Sequence, residues 1–171
     1  EKYRDRNAAE RVLELSRTHS KVVQRHLEAS NVEVQLYERL AASVLYGNSS
    51  LRAPRSVIAR NRSGQAGLWP YAISGDLPIV LVRIADVGHI ELIRQAVKAH
   101  TYWRLKGLAA DLVIWNEDPS GYRQVLQDEI MTVIAAVADV ALNDKPGGIF
   151  VRRSEQISED DKILMQTVAR A

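Results

Sequence analysis

Three short apolar runs constrain this chain most: Ile79-Val-Leu-Val-Arg-Ile84, Asp111-Leu-Val-Ile-Trp115 and Ile149-Phe-Val151. The first is β-branched and nearly continuous, as expected of a strand buried on both faces. Between the first and second, Ile90, Ile93, Val97, Tyr102 and Leu105 give a helix a broad apolar side, with Asp86 as its cap and Gly107 as its stop. Between the second and third, a helix starting at Asp118-Pro119 carries Val125, Leu126, Ile130, Val133, Ile134 and Val137. Pro146-Gly-Gly148 turns into the third run, and Ser158-Glu-Asp-Asp161 caps a last helix expected to be still running at Ala171. Strand, helix, strand, helix, strand, helix is the order of a parallel sheet with right-handed crossovers.

The residues before this pattern have helical period. From Asn7 to Leu27, Ala8, Val12, Leu15, His19, Val22 and Val23 make one stripe expected to face a core. Ser30-Asn-Val-Glu33 is a capping box opening a helix with Val34, Leu36, Tyr37, Leu40, Ala41 and Val44, stopped at Gly47-Asn48. Pro54 fits the first turn of a short helix through Arg60, and residues 61–70 have loop composition. The fold class expected is therefore α/β: a helical N-terminal segment, 1–70, then a small three-stranded parallel α/β domain, 71–171, packed as one unit. A chain that begins and ends inside helices is expected to be a piece of something larger.

Composition narrows the function classes. With 171 residues, the chain has room for one domain burying roughly 70% of its unfolded surface. It has no Cys, which excludes a disulfide scaffold, and no apolar stretch near the ~18 residues that span a bilayer. Net charge is only +2 despite a pI near 9.0. Arg52 to Arg62 is locally basic, yet no concentrated stripe or reading module accompanies it, so no nucleic-acid partner is expected. His19 and His26 stand two helical turns apart, roughly 10 Å along the axis, too far to share a metal, and His89 and His100 are farther apart still. No metal or cofactor is expected. Gly64 to Gly67 and Gly147-Gly148 lack the setting of a phosphate cradle.

Ligands of open parallel sheets bind outside the carboxyl ends of the strands. That edge collects Asp86 and His89 after the first strand, Asn116 and Glu117 after the second, and Arg152 and Arg153 after the third. Glu117 with His89 is suited to acid–base work and the arginines to an anion. Caps alone also account for Asp86 and Asp118, with the arginines neutralising them. Ser74-Gly75-Asp76 precedes the first strand, the wrong order for a nucleophile elbow, and reads as a turn. Among the aromatic residues, Trp69 and Tyr71 are the candidates for stacking on sugar rings.

Several continuous blocks carry a family resemblance. They are Thr18-His-Ser20, Asn61-Arg-Ser-Gly-Gln-Ala-Gly-Leu-Trp69, Tyr71-Ala-Ile-Ser-Gly-Asp-Leu-Pro-Ile79 and Tyr102-Trp-Arg-Leu-Lys-Gly107. Asp111-Leu-Val-Ile-Trp-Asn-Glu-Asp118, Gly121-Tyr-Arg-Gln-Val-Leu-Gln-Asp128 and Pro146-Gly-Gly-Ile-Phe-Val-Arg152 complete them. Together they resemble the cyclic β-1,2-glucan synthases, in their glycoside phosphorylase-like part (glycoside hydrolase family 94, formerly glycosyltransferase family 36). Large β-1,2-oligoglucan phosphorylases are the close alternative. The resemblance implies a very large bacterial inner-membrane enzyme that builds β-1,2-glucan from UDP-glucose and controls its length by phosphorolysis. This segment is then expected on the cytoplasmic side without inserting in the membrane, beside β-sandwich and helical-barrel domains of the same polypeptide. It carries no catalytic residue of that family, so the chain alone is expected to be an inactive structural module, with β-1,2-glucan or phosphate as candidate ligands.

Overall fold

The computed structural model describes residues 5–118, 125–138 and 140–171. Three strands form, β1 (Ile79–Ile84), β2 (Asp111–Asn116) and β3 (Ile149–Arg153), all parallel and in the order β1-β2-β3. Ile79 stands opposite Asp111, and Leu112 opposite Ile149. The helices are α1 (Arg6–His26), α2 (Asn31–Tyr46), α3 (Arg55–Ile58), α4 (Ile90–Leu105), α5 (Val125–Val137) and α6 (Glu159–Val168). The expected α/β class, with its helical lead-in and three parallel strands, is the one observed.

Alternation along the strands builds two cores. Val80, Ile84, Leu112, Ile114 and Ile149 share one cluster with Ile93 and Val97 of α4 and Leu126, Ile130 and Ile134 of α5. Ile79, Val113, Trp115 and Phe150 share the other with Leu164 and Met165 of α6 and with Leu68. Each fully buried aliphatic side chain stabilises by about 1.5–3 kcal/mol relative to its exposed state. The central strand β2 is buried at all six positions. By contrast β1, expected to be buried throughout, leaves Leu81 and Val82 half-buried and Arg83 exposed. Helices cover its faces, but it has a neighbouring strand on one side only.

Three further expectations change. Residues 65–71, of loop composition, form a 3₁₀ helix, with Gly67 N–H donating to the Gly64 carbonyl at 3.0 Å. Leu68 supplies the reason: as the buried residue of this turn it anchors it against α6. The last helix does not run to the end. It stops at Val168, and Ala169 turns extended with ψ 134°. The other end of the helical lead-in starts with a cap rather than mid-helix, since the Asp5 carboxylate accepts the Asn7 N–H at 3.2 Å.

The largest departure concerns α1. Its stripe forms, yet Val12, Leu15, His19 and Val22 are exposed, and of the six stripe residues Val23 alone is buried. The helix touches the body near its C-terminal end, where His19 Nε2 donates to the Leu105 carbonyl at 3.0 Å and Lys106 Nζ donates to Ser20 Oγ. Instead α2 makes the firm contact. Trp103 Nε1 donates to the Tyr37 carbonyl at 2.7 Å, and the Tyr37 hydroxyl donates to Gln95 Oε1 at 2.9 Å.

The capping box of α2 is part of that contact. Glu33 accepts the Ser30 N–H at 2.8 Å, Ser30 Oγ accepts the Glu33 N–H at 3.2 Å, and Gln95 of α4 donates to the same carboxylate at 3.2 Å. The Ser30 backbone N–H, foremost among these donors, holds the Glu33 carboxyl down from 4.5 to about 2. A depressed folded value means the stabilisation is present above pH 4.5 and is lost as pH falls through about 2. Glu33→Gln is therefore expected to cost roughly 1 kcal/mol at neutral pH. Its melting temperature should meet that of the unsubstituted chain as both are titrated down, measured by circular dichroism.

Candidate functional site

Because all three strands run the same way, their carboxyl ends bring the six candidate polar residues to one edge. Asp86 Oδ1 accepts the Gly88 N–H at 2.8 Å and opens the turn Val87–His89 that leads into α4. His89 is exposed beside it. Asn116 is buried: its Nδ2 donates to Gln127 Oε1 at 3.1 Å and its Oδ1 accepts the Asp118 N–H at 3.0 Å. The helix start at Pro119 lies outside the described residues, as does the rest of the segment through Gln124.

The charged members pair off. Arg83 Nε donates to Glu117 Oε1 at 2.8 Å while its guanidinium lies 5.9 Å from the centre of the Trp115 ring. Arg152 donates to Asp144 Oδ1 at 2.7 Å and to the Tyr71 carbonyl at 2.6 Å, and it stands 5.6 Å from the centre of the Phe150 ring. Arg153 pairs with Glu155 at 2.5 Å. Strand register adds a constraint. Arg83, Trp115 and Arg152 are aligned across the sheet, as are Ile84, Asn116 and Arg153. Consecutive strand residues project to opposite faces, so Arg152 and Arg153 do not converge from the strand on one anion. Glu117 is joined to Arg83 rather than to His89, and proton transfer by Glu117 first requires that ion pair to open.

The two loop aromatics differ. The Tyr71 hydroxyl donates to Asp161 Oδ2 at 2.9 Å, tying the 3₁₀ turn to the start of α6. Burial, and then the bond to Asp161, push that hydroxyl above its usual range. Trp69 is 62% exposed, and its ring is free to meet a flat apolar surface.

A second polar group lies at the opposite, amino-terminal edge, where the sequence points only to the turn at Ser74-Gly75-Asp76. Asp111, the first residue of β2, is fully buried. Its Oδ1 accepts the Gly147 N–H at 2.7 Å, and its Oδ2 is buried without a hydrogen bond. Burial raises this carboxyl, the Gly147 N–H opposes that, and Asp76 adds to it. Nearby His100 is buried and donates from Nε2 to the Ala110 carbonyl at 2.9 Å, with burial lowering its imidazole. His100 also lines a cavity of about 470 Å³ together with His26, Arg104 and Val137. The signal available in sequence was an acid opening an otherwise apolar strand.

A raised folded value means that charged Asp111 costs stability above that value, and that the cost is relieved as pH falls below it. Asp111→Asn keeps the Oδ1 acceptor. It should unfold at the same or higher denaturant concentration at pH 7, and any advantage over the unsubstituted chain should shrink as pH falls and the wild-type carboxyl protonates. Asp111→Leu strands the Gly147 N–H and should lose about 1–3 kcal/mol in the same urea titration.

No protein-family model matches the chain. Among curated proteins, it is similar to cyclic beta-(1,2)-glucan synthase NdvB of Rhizobium meliloti (strain 1021), with 34% identity over 155 residues. The match takes in 90% of this chain and 6% of that protein, so the chain spans a small part of the length of the curated relative it matches. The resemblance carried by the sequence blocks is thereby shown, for one short stretch of a cyclic β-1,2-glucan synthase.

Proposed function

We propose that this chain, as kin of the cyclic β-1,2-glucan synthases, is a non-catalytic structural module of such an enzyme, orienting larger parts of the polypeptide against one another. The apolar side of α1 carries this reading. Val12, Leu15 and Val22 are 46, 63 and 57% exposed. Apolar area left in water forgoes about 25 cal/mol per Å², and a continuous patch of it marks a contact surface. On α2, Val32, Leu45 and Tyr46 are exposed as well. The occupants are the β-sandwich and helical-barrel regions of the same polypeptide, a chain far longer than the stretch matched here. The ion pairs at the carboxyl edge support an inactive segment, since they occupy the charged groups that a reaction would use.

In this reading the parent enzyme builds cyclic β-1,2-glucan from UDP-glucose, with a phosphorylase-like region adjusting chain length. The module lies on the cytoplasmic side of the inner membrane. No helix among the described residues is long and apolar enough to cross a membrane.

The chain alone, incubated with β-1,2-glucan and phosphate, should release no glucose 1-phosphate, and reproducible release would overturn the proposal. Val12→Glu with Leu15→Glu should shift the stability of the chain by no more than about 0.5 kcal/mol, as exposed sites do. In the full-length parent the same pair should sharply reduce cyclic glucan output. Unchanged output would count against docking through α1.

Trp69 favours a second reading, a β-1,2-glucan-binding module, because an exposed indole face suits a sugar ring. Titration with β-1,2-oligosaccharides should then quench tryptophan fluorescence, and Trp69→Ala should remove the change. A flat titration rejects this reading.

A further inference from the structure

The backbone of β1 is committed to β2 on one side only. Asp111 N–H donates to the Pro78 carbonyl at 2.9 Å and Glu117 N–H to the Ile84 carbonyl at 2.7 Å, so the even-numbered residues of β1 face its neighbour. Backbone groups alternate sides along a strand, and Ile79, Leu81 and Arg83 therefore turn theirs outward. The chain's last residues meet the first part of that edge. Arg170 N–H donates to the Ile79 carbonyl at 2.7 Å, and Leu81 N–H donates to the Ala171 carbonyl at 2.8 Å. The Leu81 carbonyl and both backbone groups of Arg83 come next along the same edge.

The winding of the chain explains why the tail arrives there. Helices α4 and α5 cover one face while the chain steps from β1 to β2 to β3. Helix α6 covers the other face, carrying the chain back past β2 to the outer side of β1. A right-handed crossover in the reverse direction demands that change of face. Residues 169–171 thus lie beside β1 where a fourth parallel strand would begin, next to β1 on the side away from β2. The outer edge of β3 is blunted differently, by a bridge between Asn143 and Ile149 and a 3.0 Å bond from Asp144 N–H to the Ile149 carbonyl. No proline interrupts β1, and the Arg83 side chain is drawn to Glu117. An open edge of this kind is a template for another strand.

We propose that the outer edge of β1, from Leu81 to Arg83, is a strand-pairing site for an extended segment of the parent polypeptide, running parallel to β1 in line with Ala169–Ala171. The proposal rests on the reading of this chain as a module of a longer enzyme, and the 6% share of NdvB that it spans leaves ample polypeptide to supply the strand.

Residue-resolved hydrogen exchange on the full-length parent and on the 171-residue chain tests it. The Arg83 amide should exchange at least 100-fold more slowly in the parent than in the shorter chain, and the slowing should persist in an Arg83→Ala parent, which keeps the N–H and loses the ion pair. Val113, in the central strand, serves as the folding control. Should Val113 exchange fast in the shorter chain, the parent decides alone: a slow Arg83 amide supports the pairing and an unprotected one overturns it. Protection in the shorter chain that grows with concentration would assign the edge to a second copy and overturn the proposal. Protection of Val12 and Leu15 in the parent without protection of Arg83 would overturn the pairing and leave the module reading standing. Protection of Arg83 with α1 still open would support the pairing and count against docking through α1.

Discussion

Parallel pairing of β2 with both of its neighbours is the constraint from which the rest of the structure follows. Parallel strands cannot be joined by a hairpin, so each connection must be a crossover long enough to hold a helix. Two successive right-handed crossovers in one direction put α4 and α5 on the same face, which leaves the other face open unless the chain returns. Helix α6 and the 3₁₀ turn at residues 65–71 close it, with Leu68, Leu164 and Met165 meeting Val113, Trp115 and Phe150. The glycine at 148 marks how tight the entry to β3 is: a β-carbon there would come within 1.9 Å of the Leu142 carbonyl oxygen.

Local signals are legible in the sequence because the physics behind them is local. The Ser30 to Glu33 box caps α2 as its spacing requires, Ser158 caps α6, and Asp86 caps the turn ahead of α4. The α1 stripe was legible as a helix but not as a surface. Periodicity reports that one side is apolar and says nothing of whether the partner is on the same chain. The half-open state of β1 was hidden for a related reason, since Ile79–Ile84 has the composition of a central strand and position in the sheet is a property of the whole fold. Asp111 escaped notice because its role is to bind the Gly147 N–H, a residue 36 positions away.

The same distinction governs the polar edge. Residue types suited to acid–base work and anion binding do gather at the carboxyl ends of the strands. Their side chains, however, are directed by the pleat and by nearby opposite charges. Arg83 takes Glu117, Asp144 takes Arg152, and Glu155 takes Arg153. Exposed pairs of this kind contribute little to stability, about 0–1 kcal/mol each, so their consequence here is chiefly that they set which groups remain unengaged. His89 and the indole of Trp69 do remain so, and they lie on different elements.

The two open features of the chain differ in what they can supply to an interface. A backbone hydrogen bond gained at the β1 edge exchanges water for a peptide partner and nets only about 0.5–1.5 kcal/mol. The apolar residues of α1 gain free energy in proportion to the area they remove from water. Under the proposed docking, affinity for the rest of an enzyme would fall mainly to α1, whereas the β1 edge would fix direction and register, because parallel pairing accepts a segment in one orientation only. The exposed residues of α1 stand outside the two buried clusters, and at the β1 edge Leu81 and Val82 pack against them only from half-buried positions. The core needs no rearrangement when either is covered, and the cost of ordering is confined to the incoming segment. A chain built in this way would hold its shape before docking, which is what the proposed role of orienting larger domains requires.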